Sequence, residues 1–423
     1  MAPRVAIVAS GSELVRGDRY DRNGPFLASS LLRLGFEPAR ITVVGDDPEE
    51  LESALREGLE ADLLVVSGGL GPTHDDRTVE LLARAAGVGL HVEEPLHEAI
   101  EEVSRRVAAR LNRPWGDFVE GVTKQATLPD GALWVGMVGT APAVVLERGS
   151  RVAVALPGPP RELEQLWPRV LGTAPLQRLL RQARARERRV LRFYGVSESA
   201  VARSLAEAGG DGDGVEVTIC ARDFELHVDL FVDDGGAARA DEIEQRLIDD
   251  VGSFLFAREE IDTAELVLRL LRGRGLTLAT AESCTGGLVG ARLTDVPGSS
   301  DVYIGGIVAY SDDMKRAQLG VPGPVIAMHG AVSAETAAAM AQGARERLGA
   351  DVAVAVTGIA GPGGGSEEKP VGLVYLHAAG PTLERGRRFD FPGDRETIRR
   401  RATVGALHLV RSLVTELAQT RHA

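Results

Sequence analysis

The chain has 423 residues, 44% of them hydrophobic, so two or three domains with packed cores are expected rather than one. A net charge of −13 argues against broad contact with nucleic acid or an anionic membrane, while a small phosphate still needs only backbone N–H groups and one or two arginines. No apolar run approaches the ~20 residues of a membrane span. The start has no signal-peptide layout, and the two distant cysteines, Cys220 and Cys284, point to a reducing cytoplasm rather than a disulfide framework.

In chain order, Val5–Ala9 reads as a strand, and Phe26, Leu27, Leu31 and Leu34 recur at helical spacing up to Gly35. Ile41–Val44 is strand-like, Pro48 opens a helix carrying Leu51, Leu55 and Leu59, and Leu63–Val66 is a buried strand. This alternation predicts a parallel sheet covered on both faces. Leu96, Ile100, Val103 and Leu111 mark another helix, followed by strand signals at 132–135, 143–146 and 152–156.

From about Pro168 to Ala257 the rhythm changes to a small α+β pattern. A strand at Leu191–Tyr194 precedes a helix from Ser197 to Ala206. A strand pair follows at Val215–Cys220 and Leu226–Val232, then a helix through Ile243, Leu247 and Ile248. The basic run Arg178–Arg189 reads as a solvated helix face leaving the first domain. No glycine loop of the kind that clamps RNA backbone is present there. From Thr263 strands and helices alternate again, with strands at Leu276–Thr280, Ile304–Tyr310, Val352–Val356 and Val371–Leu376 and helices starting near Val289, Ser333 and Asp394.

Two stretches carry chemistry. Ser67-Gly-Gly-Leu-Gly-Pro-Thr-His-Asp-Asp76 follows a strand's C-terminal end, where open parallel sheets bind ligands. Gly68, Gly69 and Gly71 let a phosphate approach the backbone, and Asp75 and Asp76 suit a hard divalent metal; the alternative is that Asp76 or Thr78 caps the next helix. The loop is neither a Walker loop nor a Rossmann fingerprint. In the second stretch, Glu282-Ser-Cys-Thr-Gly-Gly287 lies at a strand-to-helix turn. Ser283 is a nucleophile or an N-cap, and Cys284 a competing nucleophile or a core thiol; the serine is favoured. Tyr310 ends one strand with Lys315 five residues on, Thr357-Gly358 ends another, and Arg395, Arg399 and Arg400 stand at a helix start. A parallel sheet would gather these at one edge as nucleophile, base, anion donors and phosphate clamp. Lysine serves as the base only if desolvation lowers its pKa. No Gly-x-Ser-x-Gly elbow is present, and His329, His377 and His408 stand apart from these motifs.

The first half resembles the amino-terminal domain of CinA-type (competence/damage-inducible) proteins, which is similar to the molybdopterin-binding fold. The resemblance rests on Gly11-Ser-Glu-Leu14, Asp21-Arg-Asn23, Val44-Gly-Asp46, the loop Gly68–Asp76, Lys124-Gln-Ala126, Gly139-Thr-Ala-Pro142 and Pro157-Gly-Pro-Pro160. It departs at Gly136-Met137, where the family usually has Asn-Pro, and at Ala143, where it has glycine. The likeness implies a metal-dependent ADP-ribose pyrophosphatase. Its phosphate loop would use Gly68, Gly69, Gly71, Thr73, Glu13, Asn23 and Lys124, and its metal Asp75 and Asp76.

The last part resembles the nicotinamide-nucleotide amidase domain that closes such proteins. Here the matching segments are Glu282–Gly287, Pro297-Gly-Ser-Ser300, Ala309-Tyr310, Lys315, Gly330-Ala-Val-Ser333, Thr357–Pro362 and Lys369-Pro-Val-Gly372. The implied reaction is deamidation of nicotinamide mononucleotide by Ser283, supported by Lys315, Tyr310 and Thr357, with no cofactor. Glu282, Thr285, Gly286, Gly287 and Gly358 would bind substrate, and one of Arg395, Arg399 or Arg400 its phosphate. The expected architecture is thus two α/β domains, 1–168 and 261–423, joined by a KH-like α+β domain, 169–260. A homodimer acting on nicotinamide mononucleotide and ADP-ribose is implied. The competing reading is a binding or regulatory protein in competence or recombination, without direct nucleic-acid contact.

Overall fold

The computed structural model describes residues 2–419. The chain forms two compact units, the first ending at Arg186 and the second starting at Glu187.

The first unit is built on a six-stranded sheet in the order Glu37–Val44, Arg4–Ser10, Leu63–Ser67, Arg151–Leu156, Pro142–Arg148, Leu133–Met137. The first four strands are parallel, as their crossover helices require, and the last two turn antiparallel at one edge. Side chains alternate between two cores: Val8, Leu64 and Val66 face one, Val5, Ile7, Leu63 and Val65 the other. Asp47 accepts from the N–H groups of Glu49 and Glu50 and so fixes the start of helix Pro48–Gly58. The unit runs past the boundary expected at 168. Leu176 and Leu179 of helix Ala174–Leu180 are buried in its core.

The second unit holds two sheets. A four-stranded antiparallel sheet, in the order Val215–Arg222, Glu225–Val232, Glu187–Phe193, Leu255–Ala257, has its own core around Phe193, Val228, Leu230, Ile243 and Leu247. The basic run is not one helix face. Arg188 and Arg189 lie in a strand, where Asp229 and Glu260 pair with the first and Glu187 and Asp241 with the second.

The five-stranded sheet runs Tyr303–Val308, Leu278–Glu282, Val352–Gly358, Leu373–Ala379, Glu384–Asp390. It is not wholly parallel. Leu373–Ala379 runs against Val352–Gly358, and Glu384–Asp390 against Leu373–Ala379. Two reversals restore the direction, so Glu384–Asp390 ends at the same edge as Leu278–Glu282. That brings the start of helix Arg395–Gln419 to the edge where Ser283 stands.

The two sheets of this unit are locked at a buried joint. Tyr194 stacks on His408 at 3.7 Å between centroids, Glu225 accepts from His408 Nε2 at 2.8 Å, and Arg411 donates to His408 Nδ1 at 3.2 Å. An acceptor Nδ1 leaves the imidazole neutral, and burial does lower the His408 pKa.

Candidate active site

Glu282 closes the turn that carries Ser283. Its buried carboxylate accepts from the N–H groups of Gly287 at 2.9 Å, Val289 at 3.1 Å and Gly290 at 2.9 Å. These are the orphan donors at the start of helix Leu288–Thr294, where a negative charge also suits the dipole. Gly286 and Gly287 hold φ of 63° and 101°, conformations that side chains avoid. The role expected of Glu282, contact with substrate, is thus taken by the internal clamp.

Within the turn the Ser283 N–H donates to the Val356 carbonyl at 2.9 Å, which seats the serine against the end of the neighbouring strand. Lys315, on helix Asp312–Leu319, brings Nζ to 3.2 Å from Ser283 Oγ and 3.3 Å from the Tyr310 carbonyl. It is only 2% exposed, and burial lowers its pKa. No carboxylate touches its Nζ among the described residues, so the neutral amine is within reach. The same burial acts oppositely on Cys284, whose thiol is pushed up to about 12. The thiol packs in the core with Val289 and Val356.

The supporting residues divide. Tyr310 meets Lys315 through its carbonyl and not its phenol; the phenol, well exposed, accepts from Arg395 at 3.0 Å. Thr357 is fully buried and donates to the Ala331 carbonyl at 2.7 Å. It therefore holds the neighbouring loop rather than Ser283. Lys369 grips the same loop through the carbonyls of His329 at 2.7 Å and Val332 at 2.8 Å. A Cβ on Gly358 would press on Leu373 and Val374, so this glycine serves packing. Space beside Gly286 and Gly287 is open by comparison: the nearest atom to a Cβ there is an Arg399 nitrogen at 3.5 Å and a Val308 methyl at 3.8 Å.

The three arginines also part. Arg399 donates to the carbonyls of Cys284 at 3.0 Å and Thr285 at 2.8 Å. Arg400 pairs with Asp223 at 2.7 Å. Arg395 donates to the Gly361 carbonyl at 2.6 Å and to Tyr310, and no carboxylate pairs with it among the described residues.

In the first unit a cleft of about 770 Å³ is lined by Ser10, Glu13, Asp46, Gly68, Gly69, Asp75, Asp76, Thr140 and Glu162, among others. The glycines there make room for the protein itself. A Cβ on Gly68 would strike the Ser10 carbonyl, on Gly69 the Thr78 hydroxyl, and on Gly71 the Asp76 carboxylate. Neither Asp76 nor Thr78 caps the following helix. Thr78 donates to the Gly68 carbonyl at 2.8 Å, and Asp76 accepts from the Thr73 N–H at 3.0 Å. The Thr73 hydroxyl touches both Asp75 and Asp76, and Lys124 donates to the Thr73 carbonyl. Asn23 is structural: it donates to Ser67 Oγ at 2.8 Å and to the Gly158 carbonyl at 2.7 Å. Ala143 is fully buried in the core and Met137 packs against the opposite core, so the departures there fall outside the cleft wall.

One hydroxyl has one proton, yet two carboxylates meet it at Thr73. An all-oxygen cluster with more negative charge than protons suits a hard cation. Among the described residues no three His, Cys, Asp or Glu side chains gather into a closed metal cage. Two carboxylates are what a Mg²⁺-like ion uses when waters and substrate phosphates complete its shell.

Sequence comparison accords with this layout. Residues 6–177 match the family described as a probable molybdopterin binding domain, and residues 260–414 the CinA C-terminal domain. The CinA-like protein of Mycolicibacterium paratuberculosis is 42% identical over 436 residues, covering 98% of this chain and 99% of that one. The chain belongs to the CinA-like family. The CinA-like protein of Mycobacterium tuberculosis is also 42% identical, over 423 residues and 97% of each chain. Among solved structures, the competence/damage inducible protein CihA from Agrobacterium tumefaciens is 41% identical over 38% of this chain and 98% of its own, with a TM-score of 0.34. In this CinA-like chain Ser283 and Lys315 fall in the second matched region and the Gly68–Asp76 loop in the first. No helix among the described residues is long and apolar enough to cross a membrane.

Nothing local in the sequence marks Arg399 as the holder of the Cys284 and Thr285 carbonyls, or Lys369 as the holder of those of His329 and Val332. A signal for Glu282 existed: an acidic residue just before a Gly-Gly helix start is placed to cap it.

Proposed function

We propose that the second unit hydrolyses the carboxamide of nicotinamide mononucleotide to nicotinate mononucleotide and ammonia through a Ser283 acyl-enzyme. The observation that carries this is the buried Lys315 amine at 3.2 Å from Ser283 Oγ with its pKa lowered by burial. An amide carbonyl is a poor electrophile and needs an activated hydroxyl. Neutral Lys315 takes the Ser283 proton as Oγ bonds to the carbonyl carbon. The protonated amine then hands that proton to the departing nitrogen as the C–N bond breaks. Water, deprotonated by the same amine, attacks the ester and frees the carboxylate and Ser283.

The negative oxygen needs donors. At the turn the Gly286 N–H is used by the Ser283 carbonyl and that of Gly287 by Glu282. The N–H groups of Cys284 and Thr285 bond no other residue's backbone carbonyl among the described residues and are the donors of this reading. Arg399 fixes the carbonyls of the same two residues, which sets the direction of those peptides. Arg395, beside the exposed Tyr310 ring, is assigned to the phosphate. The substrate identity and a homodimeric state come from the family resemblance. In the test, the full-length protein is offered nicotinamide mononucleotide without metal and ammonia is measured. No release, with the protein folded, rejects the reading in favour of a binding or regulatory role in competence or recombination.

A second reading concerns the first unit, and the crowding of Asp75 and Asp76 on Thr73 favours it. We infer a pyrophosphatase acting on ADP-ribose, with Asp75 and Asp76 holding a divalent cation. When bound, that cation would neutralise charge on two adjacent phosphates. The chain's own part is to hold Thr73 by Lys124 and to shape the loop by the glycines. AMP release from ADP-ribose, with and without a divalent ion, tests it.

A further inference from the structure

We propose that Asp223, at the hairpin tip of the four-stranded sheet, is a positioning residue for the Ser283 turn. The proposal rests on the reading of Ser283 as nucleophile.

The hairpin joins Val215–Arg222 to Glu225–Val232 through two residues, with Arg222 opposite Glu225. Both central residues lie at positive φ, Asp223 at 48° and Phe224 at 67°. Such turns favour Asn-Gly, because side chains resist that conformation. Here an acid and a bulky aromatic occupy it, and each has a partner on helix Arg395–Gln419. Asp223 accepts from Arg400 at 2.7 Å, and the Phe224 ring lies 4.5 Å from the Arg401 guanidinium. Strain persists only where surroundings over-determine it.

Asp223 has a second partner, Arg292 at 3.1 Å, on helix Leu288–Thr294. That helix begins at the nucleophile turn. One carboxylate thus ties together the two helices that frame the turn. Asp262 also accepts from Arg292, at 2.7 Å, so the arginine lies between two acids. Next to Arg400 in sequence, Arg399 holds the Cys284 and Thr285 carbonyls. Consecutive helical residues point about 100° apart, so Arg400 can bind the hairpin while Arg399 binds the turn. Anchoring Arg400 fixes the rotation and height of the helix, and with them the reach of Arg399. Asp223 therefore acts on the chemistry through Arg399 and the peptides it orients.

The test uses the full-length chain with Asp223→Ala, Asp223→Glu, Arg400→Ala and the Asp223→Ala/Arg400→Ala pair. Deamidation kinetics and hydrogen exchange across 282–288 are measured side by side. Small displacements remote from the chemistry cost up to about a hundredfold in rate, so kcat is expected to fall about ten- to a hundredfold in Asp223→Ala. KM should barely move, Asp223→Glu should recover part of the loss, and the double variant should be no worse than its worse parent. Exchange should rise across 282–288 and stay unchanged in the strand Arg4–Ser10 of the other unit. Unchanged exchange across 282–288 in Asp223→Ala overturns the proposal, as does exchange that rises equally throughout 263–419. Should the parent protein release no ammonia while the turn still loosens in Asp223→Ala, the positioning role stands and the deamidation reading falls.

Discussion

Replacing Lys315 by methionine keeps an unbranched apolar stem and removes the amine. The amine stands 3.2 Å from Ser283 Oγ on a residue that is 2% exposed, and among the described residues no second side-chain base lies within hydrogen-bond distance of that oxygen. A positioned general base contributes about 10²- to 10⁴-fold, which sets an expected loss of about 3 to 5 kcal/mol of transition-state stabilisation. Arginine should not rescue, because its guanidinium keeps its proton. The pH profile carries the sign. Only the neutral amine accepts a proton, so wild-type kcat/KM should fall as pH drops through the Lys315 pKa. Burial places that limb below the ordinary lysine value of 10.5. Stability should move the other way. A lysine whose folded pKa is depressed costs stability below that pKa, and the cost fades as pH rises to the unfolded value. Lys315→Met should therefore raise resistance to urea at neutral pH, by about 1.4 kcal/mol for each unit of depression, and the gain should vanish in strong alkali. Steady-state ammonia release across pH, paired with urea unfolding, measures both. Near-normal turnover by Lys315→Met, or an acid limb that survives the substitution, would refute the reasoning.

Ser283→Ala should lose turnover by on the order of 10⁴-fold or more while still binding substrate, and enzyme quenched during turnover should carry its acyl adduct on Ser283 by mass spectrometry. Cys284→Ala should lose little activity, and an adduct on Cys284 would overturn the assignment. Burial pushes the Glu225 carboxyl up, but the His227 imidazole at 3.5 Å and hydrogen bonds from His408 and Thr263 outweigh it and bring it from 4.5 to about 2. That difference is worth roughly 3 kcal/mol, present above pH 4.5 and lost as pH falls through about 2, so Glu225→Gln should lower urea resistance by about that much at neutral pH. Asp75→Ala should lower metal-dependent AMP release and leave ammonia release intact; equal AMP release would reduce Asp75 to a loop-shaping residue.

The apolar periodicities carried most of the fold. Val5–Ala9, Leu63–Val66 and Val352–Val356 are strands because each is a short run bounded by turn residues, and the helices starting after Asp47, Ser197 and Ser333 are announced by their caps. What stayed hidden had weak or absent periodicity. Glu384–Asp390, with three arginines and one phenylalanine, reads as loop, yet it pairs along its whole length with Leu373–Ala379. Without it, the direction of Leu373–Ala379 and the route of the last helix to the Ser283 edge cannot be drawn. The union of the middle and last domains in one unit was hidden for a related reason. The joint of Tyr194, Glu225 and His408 joins residues far apart in sequence, and no local pattern encodes such a contact. At the site, sequence identified the residue types and missed their directions. Arg395, Arg399 and Arg400 form one basic cluster in the chain, but helix rotation sends each to a different partner.

The choice between Ser283 and Cys284 turns on a single physical factor. Adjacent residues of one turn offer a hydroxyl and a thiol, and in water the thiol ionises far more readily. Burial disfavours whichever form is charged. For Cys284 that form is the thiolate, so the residue that would be the stronger nucleophile is held as a neutral core side chain near 12. For Lys315 the charged form is the ammonium, so the same exclusion of water yields a base. Ser283 need not ionise beforehand, because its proton leaves only as its oxygen attacks, and the acceptor already lies within hydrogen-bond distance. A dry turn therefore silences the thiol and arms the hydroxyl together. Opening the site to water, for instance by loosening the Arg399 grip on the Cys284 and Thr285 carbonyls, should weaken both effects at once: Cys284 should become more reactive toward alkylating agents as Ser283 loses its base.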